Sequence, residues 1–351
     1  MTFNFKKKIT DFHYGKKNIF LFLLFFVPAV FYYFVISVKN FLYKIKFLKE
    51  TKTKPFVICV GNLTTGGVGK TPVVIEFANY LSLKGFKTVV LSRGYGGKLN
   101  KKKVNLIRNY NEILIDDSVL TGDEADLISK KISNAALITT SDRVKGANYA
   151  SDILKADVII MDDGFSNRKI YKDLNILLTD SKKAFGNGFC LPLGPLREPV
   201  SEIKRADKII VVEKGESGTL CGNLKSILKT KNFYICKMKN NGIYNIKTKN
   251  KLTEKKIIAF SAIGQPEQFY ALLKDFEVKN TISFDDHFNY NQKTVDEINR
   301  TMKESSAKAA VTTEKDKVKL LRFNQIENFY ALELSSSINL DELLKDIKLF
   351  N

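Results

Sequence analysis

CVGNLTTGGVGKTP, residues 59–72, joins the end of one predicted strand to the start of one predicted helix through a glycine-rich loop. The β-branched run Phe56–Gly61 feeds the loop, and a helical pattern opens at Lys70 and Thr71. Glycines in such a loop let backbone N–H groups turn inward onto phosphate oxygens. The lysine neutralises the β and γ oxygens, and the threonine hydroxyl is placed on Mg²⁺. The candidate ATP-binding residues are therefore Thr64, Thr65, Gly66, Gly67, Val68, Gly69, Lys70 and Thr71. The strict phosphate-loop spacing wants glycine where this chain has Thr64; the run Gly66-Gly67-Val68-Gly69 supplies the flexibility instead.

About ninety residues on, the apolar run Val158-Ile159-Ile160-Met161 ends in Asp162-Asp163-Gly164-Phe165. Acidic groups at the carboxyl end of a parallel strand face the nucleotide crevice. We assign Asp162 to the metal and Asp163 to the catalytic set. Further strands are expected at Thr88–Ser92, 136–140, 157–161, 174–179 and 208–212, with helices near 71–84, 123–132, 142–154 and 217–229. This alternation predicts a P-loop NTPase-like α/β fold, a largely parallel sheet with helices on both faces. Residues 51–230 would form that domain and 231–351 a smaller α/β domain. The latter is expected to hold a hairpin over 234–247 around Asn240-Asn241-Gly242, then strand, helix, strand, helix and strand from Lys256 to Thr312, and a last helix over 340–349.

Residues 1–50 read as a membrane anchor. IFLFLLFFVPAVFYYFVISV, residues 19–38, has twenty residues without a charge, enough for a helix of roughly 30 Å. Pro28 marks either a kink or a hairpin that dips in and returns. The stretch after it, KNFLYKIKFLKE, sets Phe41, Leu42, Ile45 and Leu48 among lysines and suits the headgroup region as a basic interfacial helix. Lys and Arg outnumber Asp and Glu by 57 to 37, a formal charge of +20 that attracts polyanions in general. No zinc finger, RNA-recognition motif or clear helix-turn-helix accompanies that charge, so nucleic acid is not expected as a partner. Four widely spaced cysteines without a CxxC pair exclude a disulfide scaffold.

GNLTTGGVGKTP, SRGYGG (92–97), GDEA (122–125), DDGF (162–165), LPLGPLREP (191–199), SAIGQPEQF (261–269), DDHF (285–288) and TTEKDKVKL (312–320) occur in one order. Together they resemble the tetraacyldisaccharide 4'-kinase family, the lipid A 4'-kinases of Gram-negative bacteria. The resemblance covers the membrane segment and nearly all the rest. It implies transfer from ATP, with Mg²⁺, to the 4'-hydroxyl of a tetraacylated disaccharide 1-phosphate, at the cytoplasmic face of the inner membrane; membrane lipids are the other expected partner, and a monomer is expected. TTGGVGKT is also similar to the loop of membrane-associated partitioning-type ATPases, the alternative reading. Those carry a second lysine where this chain has Thr65. The kinase family usually has glutamine at Ser166 and proline at Asp285.

The resemblance points to Asp123 as the base that takes the acceptor proton, with His287 as its imidazole partner. His287 is also the one histidine outside the N-terminal segment, in an acidic loop where a carboxylate would hold one tautomer. Asp123 opens a helical pattern, so helix capping is its other reading. Glu124 is a further candidate metal ligand. Arg197 and Glu198 lie in a stiff proline- and glycine-bounded loop fit to hold an arginine at the transferring phosphoryl group, and join Lys70 in the catalytic set. Arg93, Arg143 and Ser166 are candidate substrate contacts. TTEKD reads as a helix cap with a stabilising role.

Overall fold

A strand covered on both faces must be apolar on both, and FVICVG is. In a computed structural model describing residues 2–214, 220–228, 232–286 and 288–349, β1 (Phe56–Gly61) is buried from Val57 onward. Ile58 and Val60 pack into one core with the helix Lys70–Leu83, while Val57 and Cys59 pack into the other with the helix Arg143–Asp152. The remaining strands are β2 (Thr88–Ser92), β3 (Asn105–Asn109), β4 (Glu112–Ile113), β5 (Ala135–Thr139), β6 (Val158–Asp162), β7 (Leu174–Asp180) and β8 (Lys208–Lys214). They are followed by β9 (Phe233–Asn245), β10 (Lys256–Ser261), β11 (Glu277–Ser283), β12 (Ala309–Thr313) and β13 (Phe329–Ser337). All thirteen form one sheet in the order β11-β10-β12-β13-β9-β8-β7-β1-β6-β2-β5-β3-β4.

The sheet has two parallel lobes. β9-β8-β7-β1-β6-β2-β5 run parallel, as do β11-β10-β12-β13, and the lobes join through the antiparallel pair β9·β13. β9 leaves β8 at Met238 and continues along β13, while β13 starts beside β12 and ends beside the first half of β9. Each connecting strand therefore runs out of its own lobe toward the other. The carboxyl ends of both parallel sets face one another across a crevice, the place where open α/β sheets bind ligands.

β9 corrects one expectation. Residues 234–247 form no hairpin: Asn241 is the extra residue of a bulge, since Glu333 pairs with Gly242 and Leu334 with Asn240. Gly242 adopts φ +117°, so the turn-forming triplet is used to bend a strand. The reversal comes instead at residues 245–250, where Asn245 N–H donates to Asn250 O.

The helix Ile19–Lys44 has 26 residues, roughly 39 Å at 1.5 Å each. It starts where Asn18 Oδ1 accepts from Leu21 N and passes through Pro28 without a break, which excludes the hairpin alternative. Helix and basic stretch are continuous only to Lys44; Ile45 caps it and Lys46 takes φ +61°, so no separate interfacial helix forms over 39–50. Leu23, Val27, Phe31 and Phe34 are between 63% and 71% exposed along one stripe. Returning four such side chains to an apolar medium is worth roughly 6–12 kcal/mol. The opposite face packs on the protein: Leu21 and Ala29 join Phe12 and Leu193, Tyr32 Oη donates to Arg197 O at 2.9 Å, and Asn40 Nδ2 donates to Glu198 Oε2 at 3.2 Å. An additional helix, Thr2–His13, brings His13 Nε2 to Pro192 O at 2.8 Å.

Candidate active site

The phosphate loop leaves β1 at Gly61, where an added Cβ would meet Phe165 N at 2.7 Å, so only glycine lets the two strand ends lie together. Gly66 and Gly69 take φ +106° and +96°, and the helix opens at Lys70 with no side chain capping it. Its first N–H groups thus remain directed at the crevice. The loop is laced to LPLGPLREP: Thr65 N donates to Pro195 O at 2.7 Å, and Arg197 N to Leu63 O at 2.7 Å. Lys70 Nζ donates to Asn62 Oδ1 at 3.0 Å and lies 3.5 Å from Asp163 Oδ1. Thr71 is buried behind it.

Asp162 and Asp163 part company at the end of β6. Asp163 adopts φ +51°, and its carboxylate takes two hydrogen bonds of 2.8 Å from Arg197, whose guanidinium also donates to Asn62 O at 2.7 Å. Burial pushes the Asp163 carboxyl up, but Lys70 and Arg197 outweigh it and hold it well below the usual carboxylate range. Asp162 is buried and accepts from Ser92 Oγ at 2.9 Å. Burial first, then the charges of Glu124 and Asp163, push it up to about 6. Crowded carboxylates of this kind fit a divalent cation. No group of three His, Cys, Asp or Glu suited to hold a metal by itself occurs among the described residues. A cation bound largely through nucleotide phosphates needs only the Thr71 hydroxyl and one carboxylate from the protein.

Asp123 is the first residue of the helix Asp123–Lys131, with Gly122 at the cap, so it does not cap that helix. Its carboxylate and those of Glu124 and Asp126 sit in the first turn, where the helix dipole favours negative charge. Asp123 Oδ2 is 2.7 Å from Lys319 Nζ, and Glu124 pairs with Lys315. His287 lies outside the described residues. TTEKD does cap: the Thr313 side chain accepts from Asp316 N, opening the helix Glu314–Leu320.

The other expected residues divide. Arg93, Ser166 and Arg197, with Lys39, Arg168 and Lys169, border a cleft of about 210 Å³ beside the last turns of the long apolar helix. Arg143 lies at the same cleft but is fully buried, and its guanidinium donates to Leu91 O at 2.9 Å and Asp162 O at 2.8 Å. Burial pulls it down to about 10. It braces the strand ends β2 and β6 at the wall of the cleft. Glu198 is also enclosed, paired with Arg205 and Asn40 and with no exposed surface, so the structure does not bring it to the open cleft. Ser166 Oγ is buried without a hydrogen-bond partner among the described residues.

Sequence reasoning passed over several groups. Lys214, at the end of β8, donates to Gly67 O on the loop and to Gln268 Oε1 at 2.9 Å from the far lobe. Lys315 lies inside TTEKD, which reads as a cap, and Lys319 lies three residues beyond it. Their i, i+4 spacing on one helix face was the available signal.

The model for tetraacyldisaccharide-1-P 4'-kinase matches residues 21–348. A tetraacyldisaccharide 4'-kinase of Syntrophus aciditrophicus is 36% identical over 317 residues, 85% of this chain and 84% of the relative. Another, of Aquifex aeolicus, is 34% identical over 315 residues, covering 89% and 93%. Among solved structures, the "apo" form of LpxK from Aquifex aeolicus in complex with ATP superposes with a TM-score of 0.73 at 32% identity, over 92% of this chain and 96% of that one. Family model, relatives and fold agree along nearly the whole length, and the chain belongs to the tetraacyldisaccharide-1-P 4'-kinase family.

Proposed function

We propose that the chain transfers the γ-phosphoryl group of ATP to the 4'-hydroxyl of a tetraacylated disaccharide 1-phosphate held at a membrane surface. One observation carries this reading beyond family membership. The segment LPLGPLREP touches the phosphate loop on one side, through Pro195 O and Arg197, and the apolar helix on the other, through Arg197 O to Tyr32 and Glu198 to Asn40. A nucleotide site built against a lipid-facing helix suits an acceptor that cannot leave the bilayer. Position 65, lysine in the partitioning-type ATPases, is here a threonine whose hydroxyl donates to Pro195 O at 3.3 Å, so that reading loses its extra cation.

In this reading the amides of residues 66–71 and Lys70 bind the β and γ phosphates. Thr71 and Asp162, with Glu124 nearby, would hold Mg²⁺, which neutralises charge on the phosphates. Arg197, locked by Asp163, faces the transferring group. The acceptor oxygen forms its bond to γ-phosphorus as the bond to the ADP oxygen breaks, and Asp123 takes the hydroxyl proton, with His287 as its partner. The cationic cleft bordered by Arg93, Arg168 and Lys169, with Ser166 at its wall and Arg143 bracing its floor, receives the anionic sugar headgroup. Placement in the inner membrane with both lobes on the cytoplasmic side, where ATP is supplied, belongs to the same reading, as does action by a monomer.

Purified protein with ATP, Mg²⁺ and the disaccharide 1-phosphate lipid should yield a 4'-phosphorylated product. Asp123→Ala should cripple turnover with ATP affinity nearly unchanged. Loss of nucleotide binding in that variant would instead assign Asp123 to the metal.

A further inference from the structure

The far lobe reaches the start of the Asp123 helix through the helix Glu314–Leu320. Lys315 pairs with Glu124, Lys319 with Asp123, and Glu314 with Lys131, while Ser118 Oγ donates to Val318 O at 3.4 Å. Two lysines one turn apart thus meet two consecutive carboxylates. They are not equivalent. The Lys315 side chain is 30% exposed, whereas that of Lys319 is 4% exposed.

The Lys319 ammonium has three oxygen neighbours and an aromatic wall. Asp123 Oδ2 is at 2.7 Å, Phe288 O accepts at 3.2 Å, Asp316 Oδ1 stands at 3.7 Å, and the Tyr290 ring centroid is 5.9 Å away. Asp316 is itself fixed from behind, accepting from Ala262 N at 3.0 Å and Thr313 Oγ1 at 2.8 Å. A polar chain therefore runs from the end of β10 through Asp316 and Lys319 to Asp123. It also holds the carbonyl of Phe288, the residue after His287. Burying an ammonium is a poor way to gain stability, because an apolar side chain of that size would pack without the desolvation cost. What the ammonium supplies is direction: it fixes the Oδ2 atom of the Asp123 carboxylate at 2.7 Å.

We infer that Lys319 is a positioning residue for phosphoryl transfer, orienting the Asp123 carboxylate and tying it to the carbonyl of Phe288, so that a side chain of the far lobe aligns the proton-accepting carboxylate. This rests on the reading of Asp123 as the base. Lys319 touches no reacting atom itself; it acts through Asp123. Alignment at the reacting centre is sensitive, a displacement of about 1 Å lowering turnover by about 100-fold.

The test compares Lys319→Met and Lys319→Arg in the full-length protein with ATP and the disaccharide 1-phosphate lipid, alongside direct ATP binding and thermal melting. Lys319→Met should lower kcat by about 100-fold while KM for the lipid and ATP affinity stay within about twofold. Lys319→Arg should recover part of that loss, ending about tenfold below wild type because the guanidinium displaces the carboxylate while keeping the charge. A purely architectural lysine would lower the melting midpoint and leave kcat of the folded protein unchanged, and that result overturns the inference. If the methionine variant does not fold, the arginine variant decides: wild-type kcat there is equally fatal. Asp123→Ala keeps the two readings apart. An active Asp123→Ala defeats the base assignment, whereas an inactive one beside a fully active Lys319→Met defeats only the role given to Lys319.

Discussion

Replacing Arg205 by methionine should destabilise the protein through a carboxylate that never meets solvent. Glu198 has no exposed surface and is paired with Arg205; it also accepts from Asn40 Nδ2 at 3.2 Å and lies 4.0 Å from Lys39 Nζ. Methionine keeps the apolar stem and removes the charge, leaving a buried carboxylate with one neutral donor and one distant ammonium. Breaking a buried pair from one side costs about 3–5 kcal/mol, and the surviving Asn40 and Lys39 favour the lower end, about 3 kcal/mol. Unfolding entropy of about 2.1 cal/mol/K per residue over 351 residues gives about 0.74 kcal/mol/K, so the melting midpoint should fall by about 4 °C. Calorimetry in detergent micelles measures it. The double variant Arg205→Met with Glu198→Leu removes the enclosed carboxylate too and should regain part of the loss, while Glu202, 2.7 Å from Arg205 Nε, stays without that partner. A single variant melting within roughly 1 °C of wild type, or a double variant losing the sum of its parts, would refute the reasoning. Turnover measured well below both midpoints should fall less in Arg205→Met than in Arg197→Ala, since Glu198 supports the loop from behind.

Two other outcomes follow from the site. Gly122 has φ +90°, and a Cβ there would sit 2.3 Å from Tyr95 O, so Gly122→Ala must shift the backbone that carries Asp123; kcat should drop by about 100-fold with ATP affinity retained. Unchanged kcat in that variant would show that Asp123 tolerates displacement. Asp162, raised by burial and by Glu124 and Asp163 to about 6 from 3.8, stabilises the fold while protonated; that contribution is full below about pH 4 and lost as pH climbs through about 6. Mg²⁺ with ATP should reverse the loss, so its gain in melting midpoint should be larger at about pH 7.5 than at about pH 5.5, and equal gains would argue against Asp162 facing the metal.

The phosphate loop, the acidic strand end and the apolar helix were all legible in the chain because each is contiguous. Glycine torsions, strand patterning and an uncharged run of bilayer length act over a few residues, and neighbours in sequence suffice to specify them. Asn240-Asn241-Gly242 shows where local signals mislead. The triplet favours a reversal, yet β13, which no expectation included, offers a continuous partner for β9, and a bulge satisfies more backbone groups than an isolated hairpin would.

The site followed the same division. Sequence alone determined the candidate nucleotide groups, Lys70 and Thr71 on the loop with Asp162 and Asp163 after a later strand, and that a long apolar segment preceded them. Tertiary structure decided which charges meet. Lys315 finds Glu124 across 191 residues and Asn40 finds Glu198 across 158, pairings that depend on how two lobes and a helix dock. It also enclosed Glu198, buried Arg143 against the cleft, and made Lys319, three residues beyond TTEKD, the neighbour of Asp123. Electrostatic partnership is a matter of ångströms in space, and a linear pattern carries no information about distance between segments that only packing brings together.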